Sequence, residues 1–486
     1  MTAPSSIDAE SLFQRGNSLL AGGQFADAMA FYSDALQRRP EHPETMANLG
    51  VACAELGRLD EAIQWYDAAI RIRPQYPEAY YNRGNALHAA KRFDDALAAY
   101  DAAIQIEAKF ARAWNNRGLT LMRLRRAQDA ITSYREALKL QPSYAEAWNN
   151  LGLAMQILGQ IDEAIRNFSE SLRLQSTFAS AHTNRAQAWL LKGDFALGFS
   201  EYEWRWQLPR YRLAPRNLPL WDGAPLEGRS ILLRHEQGLG DTLQFVRYAP
   251  LVKERGGRVV LECPASLHPL LESFGGVDRL IDRGAPAGDC DWQVPLLSLP
   301  GLLHTDVGTI PARVPYITAS PGRVERWRAR LPRGKRLVGI SWQGNPDFSE
   351  DVFRSIPLAE FAPLAKVSSV QLISLQKGPG VGQLDSFHKR HHVTEMGEAF
   401  DADKPFLDTA AVMSLLDLVV TSDTAIAHLA GALGRPVWIA LSVAPEWRWL
   451  LDRTDSPWYP SARLFRQPTL GDWPAVFNEM AELLRS

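Results

Sequence analysis

Two short segments in the second half of the chain carry residue types suited to holding a phosphorylated ligand. In the first, the apolar run Ser230–Arg234 leads into Gly238-Leu239-Gly240-Asp241 and then into a helical pattern. Glycines at a strand-to-helix turn let the backbone approach a ligand closely, and a helix N-terminus favours anions. The turn lacks the full G-x-G-x-x-G of dinucleotide sites, so it argues only weakly for a dinucleotide. In the second, a hydrophobic strand delivers Ser422, Asp423 and Thr424 to the first turn of a helix of small residues. Free N–H groups there suit a diphosphate, and Thr424 can donate one more hydrogen bond. His428 follows Thr424 by one helical turn and shares its face. A core histidine is the competing reading of His428.

The elements that must position these turns follow from the pattern around them. Short apolar runs at 230–234, 258–263, 337–342, 370–375, 416–421 and 437–441 read as buried strands, with helical stretches between several of them. Alternating strands and helices predict parallel sheets with crossover helices. The length exceeds what one sheet needs, so the sequence predicts two Rossmann-like halves, 229–318 and 319–486.

Together these segments resemble the bacterial family 9 glycosyltransferases, which include the lipopolysaccharide heptosyltransferases and have a GT-B fold. Gly240-Asp241 matches the family's "GD" turn. Asp423-Thr424-Ala425-Ile426-Ala427-His428-Leu429 matches its D-T-G-x-x-H-L segment, with Ala425 in place of glycine. The resemblance implies that Asp241 is the general base on the acceptor. It implies that Thr424 and His428 contact the donor diphosphate, that Asp423 fixes the loop or the sugar, and that Gly240 lies on the donor side. The family's glycine-bearing loop and following lysine correspond to Trp342-Gln343-Gly344-Asn345 and Arg354. Arg354 keeps the charge but changes its geometry. Glycosyl transfer develops charge on a leaving phosphate, which helix N–H groups and cations such as Arg354 or Lys377 would stabilise. A carboxylate such as Asp241 would take the acceptor proton. The alternative role for Asp241 is to cap the helix that follows it. The resemblance further implies no cofactor and no metal ion, with a nucleotide sugar as donor substrate.

The first half is a repeat. Gly16, Gly50, Gly84, Gly118 and Gly152 are 34 residues apart, and Ala28, Ala62, Ala96, Ala130 and Ala164 keep the same step. So do Tyr32, Tyr66, Tyr100, Tyr134, Phe168 and Tyr202. This period resembles the tetratricopeptide repeat, over residues 8–206, as five repeats and a degraded sixth. Each repeat is expected to be two antiparallel helices. The small residues allow close approach, the aromatic is expected to fill the gap to the next repeat, and proline ends the second helix. A proline-punctuated connector, 207–228, follows.

Two positions before each glycine stand Asn48, Asn82, Asn116, Asn150 and Asn184. Mid-helix asparagine has poor helix propensity, so helix formation does not ask for it. In tetratricopeptide proteins this position faces the concave groove, where asparagines can pair with the backbone of an extended peptide, as in protein O-GlcNAc transferases. The competing reading is that asparagine is merely common at this position. Tyr81, Asn115 and Asn149, one residue earlier, read either as groove lining or as a solvated helix face.

The composition narrows the classes further. Lys plus Arg is 53 against 55 Asp plus Glu, so the chain lacks the basic footprint of a nucleic-acid binder. Cys53, Cys263 and Cys290 are too few and too scattered for a disulfide framework, which fits a reducing, cytoplasmic setting. Met1 to Phe13 does not read as a signal peptide, and no apolar run is long enough for a membrane span. Asp401-Ala402-Asp403 imitates a metal-binding D-x-D, and His388–His392 a metal cluster; a polar loop and a charged edge are the better readings. Gly378-Pro379-Gly380-Val381-Gly382, after the strand ending at Gln376-Lys377, is a second candidate loop beside the phosphates. Glu446-Trp447-Arg448-Trp449 and Trp458-Tyr459 read as packing, with Arg448 a candidate phosphate contact. The leading expectation is a protein glycosyltransferase with its acceptor in the repeat groove, similar in architecture to O-GlcNAc transferases and to bacterial repeat-linked flagellin glycosyltransferases. The alternatives are a heptosyltransferase-type enzyme acting on a glycan or lipid-linked sugar, and a non-catalytic repeat scaffold with a degenerate transferase domain.

Overall fold

A computed structural model describes residues 8–347 and 351–486 of the chain. Residues 1–7, the first part of the segment that does not read as a signal peptide, lie outside the described residues. The chain forms two compact units, one up to Met155 with Glu170–Ser176, the other Gln156–Ser169 with Thr177–Ser486.

The repeat ladders fold as helical hairpins. Their helices are α1 (Ala9–Ala21), α2 (Phe25–Arg38), α3 (Pro43–Glu55), α4 (Leu59–Ile72), α5 (Pro77–Ala89), α6 (Phe93–Ile106), α7 (Ala111–Arg123), α8 (Ala127–Leu140), α9 (Ala145–Ile157), α10 (Ile161–Leu174), α11 (Ala179–Leu191) and α12 (Phe195–Tyr202). Proline follows the ends of α2, α4 and α8 at Pro40, Pro74 and Pro142, and also opens α3 and α5, where its missing N–H costs nothing. The ladder of aromatics also packs within its own hairpin. A Cβ on Gly16, Gly50, Gly84 or Gly118 would lie 2.5, 2.7, 2.6 or 2.5 Å from the ring of Tyr32, Tyr66, Tyr100 or Tyr134. Each tyrosine therefore packs on the glycine of its own hairpin, and the Tyr32 and Tyr100 hydroxyls also meet the next repeat, where Asn48 and Asn116 share their Asn17 and Asn85 acceptors. Its position is held by contact with bare backbone, which is why the two ladders run in step.

The turn inside each hairpin adds a third ladder. Gly23 (φ 73°), Gly57 (75°), Lys91 (61°) and Arg125 (60°) all take the left-handed conformation. A side chain there crowds its own backbone by roughly 1–2 kcal/mol. Lys91→Gly is expected to stabilise the chain by about 0.5–1 kcal/mol, the entropy of glycine offsetting part of the gain. A higher urea midpoint at unchanged slope is the expected result; a lower midpoint would show that Lys91 makes a compensating contact.

The second unit contains two all-parallel sheets. The first has the strand order β3-β2-β1-β4, from β1 (Ser230–Arg234), β2 (Arg258–Cys263), β3 (Arg279–Asp282) and β4 (Trp292–Pro295). The second has the order β10-β9-β8-β5-β6-β7, from β5 (Arg336–Ser341), β6 (Val370–Ser374), β7 (Val393–Thr394), β8 (Leu418–Ser422), β9 (Val437–Leu441) and β10 (Ala462–Arg466). That order is doubly wound: it reverses direction between β5 and β8, and such a reversal opens a crevice at the carboxyl ends of the strands. The central strands are mostly apolar and buried because helices cover both faces of a parallel sheet. One face of the second sheet carries Val338, Ile340, Val420 and Phe465 in a core shared with Phe361, Phe477 and Met480, the last two from the helix Trp473–Arg485. Strands β3, β4, β7 and β10 were not predicted. The first and last of these contain arginine or aspartate and sit at sheet edges, where the burial that makes a strand legible is incomplete.

The connector is more integrated than its prolines suggest. Leu220 pairs in parallel with Gln293 of β4, with Trp221 donating its N–H to the Gln293 carbonyl at 2.9 Å. The tryptophans of the last segment pack. Trp447 lies against Phe195, Phe199 and Phe245, and Trp449 and Trp458 are fully buried. The three cysteines are free and buried. No helix among the described residues is long and apolar enough to cross a membrane.

Candidate functional site

The second unit holds a cavity of about 830 Å³. The loops after β1, β2, β3, β5, β6, β8 and β9 all contribute to its wall, so it opens at the carboxyl ends of both sheets. Gly240, Asp241, Gly344, Arg354, Lys377, Asp423, Thr424 and His428 all line it. The candidates from both motifs, and from the loops after β5 and β6, thus converge on one space.

Their individual settings differ. Gly240 lies in the first turn of the short helix Leu239–Phe245, and a Cβ there would lie 2.8 Å from the His428 ring and 3.3 Å from the Ala425 backbone. Glycine is needed because the two helices bearing the two motifs touch at this point. Thr424 is the N-cap of the helix Ala425–Ala432, and its hydroxyl lies 3.3 Å from that of Thr421. His428 is buried, with Nδ1 2.9 Å from the Tyr459 hydroxyl. Burial, then the charges of Arg448, Arg247 and Arg354, hold its pKa well below the ordinary histidine value, so it is a neutral imidazole. Gly344 donates its N–H to Ser355 Oγ at 3.1 Å, beside Arg354, which pairs with Asp351 at 3.0 Å. Lys377 donates to the Phe400 carbonyl.

Asp241 is doubly engaged. Its Oδ2 accepts the Gly238 N–H at 2.7 Å, closing a cap on its own helix, and its Oδ1 pairs with Arg448. The capping alternative and the cavity position are therefore both realised. Arg448 also pairs with Glu446 and donates Nε to Gln244 Oε1 at 2.5 Å. Burial pushes the Glu446 carboxyl up to about 8 against the pull of Arg448, and Asp423 and Asp241 add to the rise. Burial likewise raises Asp423, which lies between the charges of Arg354 and Arg448 on one side and Asp241 on the other. Two carboxylates, Asp241 and Glu446, thus share the Arg448 guanidinium, with Asp423 close to both it and Arg354.

Several lining residues were not among the sequence candidates: His235, Arg283, Phe406 and Glu446. Arg283 follows β3, whose polar edge hid the strand. Glu446 was seen only as part of a tryptophan-rich stretch. His235 adjoins the Gly238 turn and could have been included; its Nδ1 lies 2.6 Å from Thr242 Oγ1, and burial lowers its pKa to about 4.

The lookalike motifs have structural roles. Asp401 is buried and accepts the N–H groups of Asp408 and Thr409 at 2.6 and 3.2 Å, while Asp403 pairs with Arg323 at 2.5 Å. His388 pairs with Glu395 at 3.0 Å. Among the described residues, no group of three or more His, Cys, Asp or Glu side chains is placed to hold a metal ion. The Gly380 carbonyl accepts the Trp342 indole N–H at 3.2 Å, which leaves Pro379 of that loop at the cavity wall.

The asparagine ladder is half-buried and partly committed to the solenoid itself. Asn48 donates to Asn17 and Asn116 to Asn85, each at 2.8 Å, and the tyrosines Tyr32 and Tyr100 donate to the same two oxygens. Where Leu119 stands at the matching position, Asn150 donates instead to Asn115 at 3.0 Å. Asn82 and Asn184 are half-buried on α5 and α11. Tyr81, Asn115 and Asn149 are buried, so they form neither an open groove lining nor a solvated face.

Comparison with known proteins agrees on the helical half. Tetratricopeptide repeat models match residues 13–77, 65–98, 84–124 with 126–156, and 145–178. The N-terminal region is a tetratricopeptide solenoid, followed by a distinct α/β region with two parallel sheets. The chain is similar to Protein FlbA of Caulobacter vibrioides, at 29% identity over 328 residues, which is 62% of this chain and 54% of the relative. It thus spans about half the length of that curated relative. Among solved structures it is similar to MamA, at 26% identity over 34% of this chain and 96% of the other, with a TM-score of 0.32. It is also similar to YrrB, described as a tetratricopeptide protein with an unusual peptide-binding site, at 18% identity over 37% and 92%, TM-score 0.32. A third is TTC0263, a tetratricopeptide protein of Thermus thermophilus, at 22% identity over 37% and 99%, TM-score 0.33.

Proposed function

We propose that this chain joins a polypeptide-binding repeat solenoid to an α/β unit of GT-B type that binds a nucleotide sugar in the cavity between its sheets. The observation that carries the ligand reading is the convergence at the β5–β8 reversal. There the Asp423-Thr424 turn and the Gly344 loop meet in one cavity with Arg354 and Lys377. A diphosphate suits such a place, since backbone N–H groups at the start of Ala425–Ala432 and two cations offset its charge. The asparagine side chains of the solenoid carry the polypeptide reading, because an amide can both donate to and accept from a peptide backbone.

In the transferase form of this reading the acceptor oxygen attacks the anomeric carbon of the bound sugar. Its proton passes to Asp241, and the sugar–phosphate C–O bond breaks with its electron pair on the leaving diphosphate. One observation favours the non-catalytic form, a scaffold whose α/β unit only binds. Both carboxylate oxygens of Asp241 are already engaged, one by Gly238 and one by Arg448, so the base is not free in this arrangement.

Calorimetric titration of the full chain with UDP, GDP, ADP and CDP and their sugar conjugates tests the shared core of both forms. Binding of at least one nucleotide, weakened on Arg354→Gln, is the expected result, and absence of binding across the set would remove it. Sugar addition to a co-expressed protein, read by intact mass, separates the two forms. Replacing Asn82, Asn116 and Asn150 together by alanine is expected to weaken partner capture; unchanged capture would make the ladder purely structural.

A further inference from the structure

Arg448 is the most heavily contested cation of the cavity. It is almost wholly buried, with 6% of its side chain exposed, yet it lines the wall. Its guanidinium meets Asp241 and Glu446, and Gln244 takes the Nε proton. The two carboxylates are not equivalent partners. Glu446 is two residues away, and its Oε2 also accepts the Arg448 backbone N–H at 3.0 Å, so local geometry keeps it in place. Asp241 is 207 positions away, on the helix after β1; both carboxylates line the cavity, with 17% of the Asp241 and 31% of the Glu446 side chain exposed. Because Glu446 shares its segment with Arg448, a ligand that brings its own anionic oxygens to Arg448 displaces Asp241 more readily than Glu446.

We propose that Arg448 is a ligand-phosphate contact that exchanges Asp241 for the diphosphate, so that binding of the ligand releases the Asp241 carboxylate into the cavity. The inference rests on the nucleotide-binding reading and deepens it. It makes Arg448 a positioning residue for Asp241 as well as a binding residue. It also explains how a carboxylate with both oxygens engaged can serve as a base: the exchange frees Oδ1, while Oδ2 stays on the Gly238 N–H and holds the side chain in place. Charge balance favours the exchange. Two carboxylates on one guanidinium leave an excess of negative charge at Arg448, and burial already pushes Glu446 up toward neutrality. A phosphate reaches this guanidinium only when one carboxylate gives up its place on it. Both accept a local backbone N–H, Asp241 from Gly238 and Glu446 from Arg448 itself, so Glu446 travels with Arg448 while Asp241 sits on a separate element.

The test uses the full chain titrated with UDP, GDP, ADP and CDP by calorimetry, in the wild type, Asp241→Asn, Arg448→Gln and the double variant. Removing the competing carboxylate is expected to tighten nucleotide binding by about tenfold or more, the scale of close charge-pair coupling. The gain is expected to vanish in the double variant relative to Arg448→Gln alone. A gain that survives without Arg448 would mean that Asp241 repels anions generally, and no gain at all would mean that Arg448 is not the contact. Either result overturns the exchange while leaving nucleotide binding intact. Failure of all four proteins to bind any of the nucleotides removes the ligand reading and this inference with it. If Arg448→Gln does not fold, Arg448→Lys replaces it in the cycle. Lysine keeps the charge but cannot present the fork, so the gain from Asp241→Asn is then expected to shrink severalfold, and an undiminished gain counts against the exchange.

Discussion

Arg205→Met is expected to destabilise the second unit by about 3–5 kcal/mol, the usual cost of stranding one member of a buried ion pair. Arg205 lies in the 3-10 turn Glu203–Gln207 directly after α12 and is fully buried. Its Nε and Nη2 donate to the two oxygens of Glu236 at 2.9 and 3.1 Å, and Nη2 also reaches Ser298 Oγ at 2.8 Å. Glu236 is fully buried as well and accepts the Leu297 N–H at 2.9 Å. Burial works against the charge of Arg205, but Glu236 and Glu203 outweigh it and lift its pKa above the ordinary arginine value. For Glu236 burial acts in the opposite direction and raises the carboxyl. The bidentate geometry and the third donor from Leu297 favour the ionised pair. Methionine preserves the packing over Tyr202 and Trp206 but leaves Glu236 without its cation. Denaturant unfolding followed through tryptophan emission measures the loss. The double variant Arg205→Met with Glu236→Leu is expected to recover most of it, since two apolar groups replace two charges. A single variant within 1 kcal/mol of wild type, on the scale of a solvated surface pair, would show that water reaches this site. The pair has a functional consequence too. Glu236 stands between His235 and Gln237, both in the cavity wall, so it ties the end of the helical array to the turn that presents Gly240 and Asp241.

Gly240→Val carries the second large effect, about 2–3 kcal/mol of destabilisation, the upper range for overpacking a close contact. The first added carbon already lies 2.8 Å from His428 Cδ2, and the branches of valine extend further. His428 cannot turn away, because Tyr459 holds Nδ1 and Trp449 stacks on the ring at 5.5 Å between centroids. The helix Leu239–Phe245 must therefore move, taking Asp241 off Arg448. Gly238→Ala is the control. Its backbone is extended (φ −93°, ψ 171°), and its nearest neighbour is the Asp241 carboxylate tip at 3.1 Å, so the change is expected to cost under about 1 kcal/mol. Thermal melting of the two variants checks the contrast. Equal effects would mean that the glycines serve the turn itself and not the contact between the two motif helices.

Much of this molecule is legible from sequence, and the reason is locality. A repeat position meets the same neighbours every 34 residues, so the glycine, alanine and tyrosine ladders register the same packing contact many times over. Central strands such as β1, β5, β8 and β9 are buried on both faces and show as unbroken apolar runs. Glycine-bearing turns after those strands mark where a parallel sheet offers its ligand site, and the named candidates do converge on one cavity. What the sequence left open involves partners far apart in the chain. The edge strands β3 and β10 carry charge because they are incompletely buried at the sheet edges. The aromatic of each repeat also packs on its own glycine, a contact set by three-dimensional fit. The partners of Arg448 and Arg205 lie 207 and 31 positions away, so no local pattern announces them. Tertiary structure decided that Asp241 is paired rather than free, and that Gly240 is a packing contact as well as a turn. Periodic burial writes itself into composition, whereas a single long-range ion pair leaves no periodic trace and exists only once the chain has folded.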